Sequence, residues 1–137
     1  MANTYVALRD DFNSRTLRLC SDLFKLTNNA NFQRLSGLIT HDIEARQPAL
    51  ILWKHINNVN PEHVQRVLDG DVRFFVDDSF DDERCGSLIQ EFRSVWKTMS
   101  AANQKIVLVK LQNIFRIAER IRTEFYDDVV RDAVMQA

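Results

Sequence analysis

The chain has 137 residues and a formal net charge of −1, with 45% hydrophobic and 27% charged residues. That length buries a core without disulfide staples, and the near-neutral balance excludes a whole-molecule basic field for recruiting nucleic acid or anionic membrane. Three glycines and two prolines argue against a β-rich or loop-rich chain, and the two cysteines, Cys20 and Cys85, are too few for a disulfide framework.

The opening "MANTYVALRDDF" has neither the basic stretch nor the apolar core of a signal peptide, and it lacks a myristoylation glycine. With so few cysteines, this predicts a protein of a reducing, intracellular compartment. Tyr5, Leu8, Phe12, Leu19, Leu23 and Phe24 recur at helical spacing and predict an amphipathic helix over about residues 4–27. Thr27, Asn28 and Asn29 close it and open a second helix, marked by Phe32, Leu35, Leu38, Ile39 and Ile43 and interrupted only by Gly37.

"QPALILWKHI" reads as a short third helix with Pro48 at its first position, where a missing N–H costs nothing. In "NPEHVQRVLDG", Asn60 is the cap, Pro61 the first helical residue, Glu62 complements the positive helix end, and Gly70 follows the last turn. "DVRFFVDD" reads either as an extended piece or as a helical turn. An acidic loop then occupies about residues 77–86, with Phe80 in its middle.

Leu88, Ile89, Phe92, Val95, Trp96 and Met99 mark a fifth helix, and Ser100 caps the sixth. In that last long helix Val107, Leu111, Ile114, Ala118, Ile121 and Phe125 follow one another at spacings of 4, 3, 4, 3 and 4, an a/d seam. Leu108, Phe115 and Ile117 widen it, whereas Lys110, Gln112, Asn113 and Arg116 break the apolar run before it reaches the roughly 20 residues of a membrane span. The expected fold class is therefore all-α, one domain of five to seven helices, with residues 105–124 central and covered by the first, second and fifth helices. The tail "YDDVVRDAVMQA" extends the last helix or forms a separate short one.

Chemistry-bearing motifs are sparse. The carboxylates Asp69, Asp71, Asp77, Asp78, Asp81, Asp82 and Glu83 cluster, but a calcium loop needs glycine at its sixth position and glutamate at its twelfth. Counting from Asp77 gives Asp82 and Leu88; counting from Asp69 puts Phe74 sixth. His41, His55 and His63 share no metal-ligand spacing and read as surface or half-buried residues. Cys20 reads as a small buried hydrophobe, and Trp53 and Trp96 as core anchors. No metal, cofactor or catalytic residue is assigned, and a non-enzymatic protein is expected. Lys105, Lys110, Arg116, Arg120 and Arg122 make the last long helix locally basic. The residues singled out for partner contact are Arg116, Arg120, Gln112, Asp77, Asp78 and Phe80.

The order "NPEHVQRVLDGDVRFF", an acidic loop, then "LIQEFRSVWKTMSAANQKIVLVKLQNIFRIAER" resembles small all-helical proteins of nucleocytoplasmic large DNA viruses over residues 48–121. The matching positions are Pro61, Phe74, Phe75, Trp96, Ser100, Asn103, Lys105, Leu111 and Gln112. Where that family often has an aromatic early in the last helix, this chain has Ile106 to Val109. The resemblance implies a viral, intracellular setting and brings no catalytic residues. The leading expectation is a viral interaction protein binding a host factor or a virion or replication component through a helical surface. Rival expectations are a nucleic-acid-associated factor using Arg116 and Arg120, and a helical death-regulator mimic. The second lacks an Asn-Trp-Gly-Arg element, since Lys97 follows Trp96.

Overall fold

The helical periodicity is realised along the chain. The computed structural model describes residues 3–76 and 87–135, and these residues contain seven α-helices and no strand. In chain order they are α1 Asn3–Thr27, α2 Ala30–Glu44, α3 Leu50–Asn58, α4 Pro61–Leu68, α5 Ser87–Trp96, α6 Ala101–Glu124 and α7 Tyr126–Val130. A 3-10 turn, Val72–Phe75, follows α4, and a π turn, Arg131–Met135, follows α7.

The caps are those that local chemistry selects. Asn29 Oδ1 accepts from the Asn31 N–H at 3.0 Å, Asn60 Oδ1 from the Glu62 N–H at 2.9 Å, and Ser100 Oγ from the Asn103 N–H at 3.2 Å. The α4 helix ends in a Schellman motif. Gly70 sits at φ +71°, its N–H bonds to the Val67 carbonyl, and the Asp71 N–H reaches back to Arg66. The end of α2 repeats the motif with Arg46 at φ 61°, its N–H on Ile43 and the Gln47 N–H on Asp42.

Pro48 does not open α3, which begins two residues later at Leu50. The Pro48 carbonyl, which a helix starting there would use internally, instead accepts from Asn13 Nδ2 on α1 at 2.7 Å. The segment left open by periodicity is the 3-10 turn. It buries Phe74 and Phe75 and exposes Val72 and Val76. Phe75 stacks on Trp96 at 4.6 Å between ring centroids and meets Phe92 at 4.9 Å, so an aromatic cluster joins this turn to α5.

The long helices α1 and α6 run antiparallel. Tyr5 meets Phe125 at one end, and Asp22 pairs with Lys110 near the other. Leu111, Ile114, Phe115, Ala118 and Ile121 are all at most 1% exposed, so the a/d seam is buried. Of the three covering helices expected, α1 packs along α6, joined by α3, α4 and α7, whereas α2 lies mainly on α1 and α5 mainly against α2 and the 3-10 turn. Leu38 and Ile43, read as apolar markers of α2, are exposed because Phe32, Leu35 and Ile39 already define its inward stripe. Trp53 is half-buried at the rim, 5.9 Å from the Tyr126 ring, and is no core anchor. The tail forms its own helix because Phe125, at φ −133° and ψ 29°, breaks the path of α6.

Candidate functional site

Opposite the buried seam, α6 carries a second one that the reading of hydrophobic spacing passed over. Ala102, Ile106, Val109, Asn113, Arg116 and Arg120 repeat the same 4, 3, 4, 3, 4 spacing, which aligns them along one side of a 3.6-residue helix. All are exposed except the half-buried Asn113, and Ile106 and Val109 leave 55% and 54% of their surface to solvent. The stripe is graded along its length, apolar at its start and basic at its end. A single exposed apolar residue needs no explanation, but an apolar pair in register on the outer face of a long packed helix is less ordinary.

Its flanks are charged. Toward α1 lies a shallow groove of about 170 Å³ lined by Arg15, Arg18, Leu19, Asp22 and Lys110. Lys110 Nζ holds Asp22 Oδ2 at 2.6 Å and Arg15 Nε holds Asp11 Oδ1 at 3.0 Å. Arg18 has no acidic partner among the described residues; its guanidinium is 3.5 Å from Ser14 Oγ. One turn on from the Asp22–Lys110 pair in each helix come Leu26, 45% exposed, and Ile106. Along the stripe, Arg116 Nη1 donates to Asn113 Oδ1 at 3.0 Å, and Arg120 Nε pairs with Glu124 Oε2 at 2.7 Å. Such exposed pairs contribute only about 0–1 kcal/mol, so the side chains exchange partners readily. Among the described residues, Arg15, Arg18, Lys105, Lys110, Arg116 and Arg120 face Asp11, Asp22 and Glu124 here, a local cationic excess on a chain whose net charge is −1.

The structure separates the residues singled out from sequence. Arg116 and Arg120 do share the solvent face of α6. Gln112 does not join them: its amide is turned toward α4 and donates to the Val67 and Leu68 carbonyls at 3.0 and 3.4 Å. Those carbonyls belong to the last turn of α4; the Val67 carbonyl also accepts from the Gly70 N–H, and Gln112 adds a second donor there, so Gln112 is a packing and capping residue. Asp77, Asp78 and Phe80 lie outside the described residues, as does Cys85.

Of the other acidic positions, Asp69 accepts from Gln65 at 2.8 Å, and Asp71 is held by Arg66 and Arg73, each at 3.0 Å. The Arg73 hydrogen bond holds the Asp71 carboxyl below its ordinary range. Among the described residues no group of three or more His, Cys, Asp or Glu side chains is placed to hold a metal ion.

His55 and His63 both pack against aromatic rings. His55 lies between Phe12 at 5.8 Å and Phe115 at 4.9 Å, and burial pushes its pKa down to about 4 against the opposing pull of Glu119. His63 is buried, contrary to expectation, with its ring 4.9 Å from Phe74. Cys20 is fully buried as expected, and burial raises its thiol to about 11, which keeps it protonated.

No family model, curated protein or solved structure matches the chain. No helix among the described residues is long and apolar enough to cross a membrane. Fold and surface together define an all-helical bundle with one charge-segregated helical face.

Proposed function

We propose that the chain is a non-enzymatic interaction protein that engages a protein partner through the solvent face of α6. The observation that carries this reading is the second seam, with Ile106 and Val109 exposed in register between cationic flanks. An amphipathic helix whose outer face is itself apolar has lost the usual reason to be polar there, and helix-in-groove recognition uses such i, i+3, i+4 anchors. Cys20 is fully buried and burial keeps its thiol protonated, which supports a non-enzymatic role. The resemblance of residues 48–121 to helical proteins of large DNA viruses supports a host factor, or a virion or replication component, as the partner class, met inside the infected cell.

Affinity capture from infected cells with the wild type and with Ile106→Asp/Val109→Asp, read by mass spectrometry, tests the reading. Loss of a specific protein from the variant is the expected result. Identical sets from both would reject the face.

One observation favours a second reading: Arg116 is exposed and, among the described residues, bonds only to Asn113, leaving its charge available to a phosphate. A nucleic-acid role predicts submicromolar binding of an oligonucleotide in about 150 mM salt, abolished by Arg116→Glu/Arg120→Glu. We expect no such binding.

A further inference from the structure

Resting on the interaction reading, we infer that the occupant of the α6 face is an acidic amphipathic helix, with its apolar stripe on Ala102, Ile106 and Val109. The stripe from Ala102 to Arg120 is about 27 Å long at 1.5 Å per residue, room for a partner helix of roughly five turns. Ile106 and Val109 supply adjacent knobs, and helices packed on such a seam approach to about 8–10 Å.

Charge selects the sign of the partner. Lys105 and Arg116 stand on one side of the apolar pair, and Lys110 and Arg18 on the other. A partner carrying carboxylates on both flanks of its apolar stripe meets cations on each side. Complementary flanking charges of this kind set partner choice and orientation in helix pairs. A second copy of α6 fits less well, because it brings the same cations to the same flanks. A phosphate backbone fits less well too, since Ile106 and Val109 occupy the position where it needs donors.

The test uses the full chain and two fluorescein-labelled helical peptides of about 21 residues with the same leucine seam, one flanked by glutamates and the other by lysines. Fluorescence anisotropy should show saturable binding of the acidic peptide, weakening as salt rises, and no saturation with the basic one. Ile106→Asp/Val109→Asp should weaken the acidic peptide at least tenfold, and Lys105→Glu/Arg116→Glu at least threefold with a flatter salt dependence. These positions are exposed, so circular dichroism and melting temperature should match the wild type. If the aspartates perturb the fold, Ile106→Ser/Val109→Ser takes their place.

Equal binding of both peptides, binding of neither, or acidic-peptide binding that survives the apolar double variant would overturn the inference. So would a dimer in sedimentation equilibrium that Ile106→Asp/Val109→Asp dissolves, since the occupant is then a second copy. Cellular capture separates the two levels. If the peptides fail while the captured protein still depends on Ile106 and Val109, the interaction reading stands and the acidic helix is wrong.

Discussion

The Tyr5 hydroxyl donates to Asp132 Oδ2 at 2.7 Å, joining residues 127 positions apart in a buried contact. Arg9 Nη1 donates to the same oxygen at 2.9 Å, so the first turns of α1 clasp the π turn at the other end of the chain. Burial, then the hydrogen bond to Asp132, pushes the Tyr5 phenol far above its ordinary pKa, and it stays a donor at any physiological pH. A carboxylate this buried is tolerated because both partners satisfy it.

Removing the phenol hydroxyl therefore tests the clasp. Tyr5→Phe should destabilise the chain by about 1–2 kcal/mol, since Asp132 keeps Arg9. Asp132→Ala strands the Tyr5 hydroxyl and removes one of two carboxylates from Arg9; it should approach the lower end of the roughly 3–5 kcal/mol seen for broken buried pairs, because Arg9 still holds Asp10 at 3.0 Å. A urea double-mutant cycle should find the two residues coupled; strict additivity would show that the contact contributes nothing.

The two faces of α6 should respond oppositely to truncation. Leu111 is fully buried, and Leu111→Ala leaves a cavity costing about 2–5 kcal/mol. Ile106→Ala and Arg120→Ala change exposed side chains and should each stay within about 0.5 kcal/mol. A cost for Ile106→Ala comparable to that for Leu111→Ala would mean the face is already packed against something in solution.

The two Schellman motifs give a matched pair of backbone predictions. Arg46 occupies a left-handed position that disfavours a Cβ, so Arg46→Gly should raise stability by up to about 1 kcal/mol. Gly70→Ala should lower it by about 1 kcal/mol through the same strain. The new Cβ would meet Gln112 Nε2 at 3.6 Å, an ordinary contact, so steric overlap adds little. Thermal melts of the two variants should move in opposite directions.

His55 should make stability depend on pH. Its pKa is about 4 folded against 6.5 as the reference value, so between these pH values the unfolded chain binds the proton and the folded chain does not. The stabilisation is complete above about pH 6.5 and falls away as the pH drops toward 4. Its size is about 1–3 kcal/mol, trimmed from the full shift because the ring is only half-buried. In urea melts across this range, His55→Gln should show a flatter profile than the wild type, whereas parallel profiles would mean that His55 titrates normally in the folded chain.

Much of the fold was legible in the residues. The caps at Asn29, Asn60 and Ser100 and the turn at Gly70 depend on neighbours within a few positions, so local chemistry settles them. The buried seam from Val107 to Ile121 was legible for a similar reason: burial of a helix face leaves a periodic trace in one stretch of chain. Arg116 and Arg120 share a face by spacing alone.

Other features depended on what packs where. Periodicity marks Ile106 and Val109 as apolar but is silent on whether a neighbouring helix covers them, and the antiparallel run of α1 along α6 leaves them in solvent. Gln112 reads as a free polar side chain until α4 brings the Val67 and Leu68 carbonyls to it. Pro48 reads as a helix start until Asn13 takes its carbonyl, and Tyr5 as an ordinary core residue until the far end of the chain supplies Asp132. Local caps and periods follow from short-range sterics and hydrogen bonding, which the order of residues determines by itself. Which polar group is satisfied, and which apolar face stays open, follows from contacts distant in sequence, and only the tertiary structure decides those.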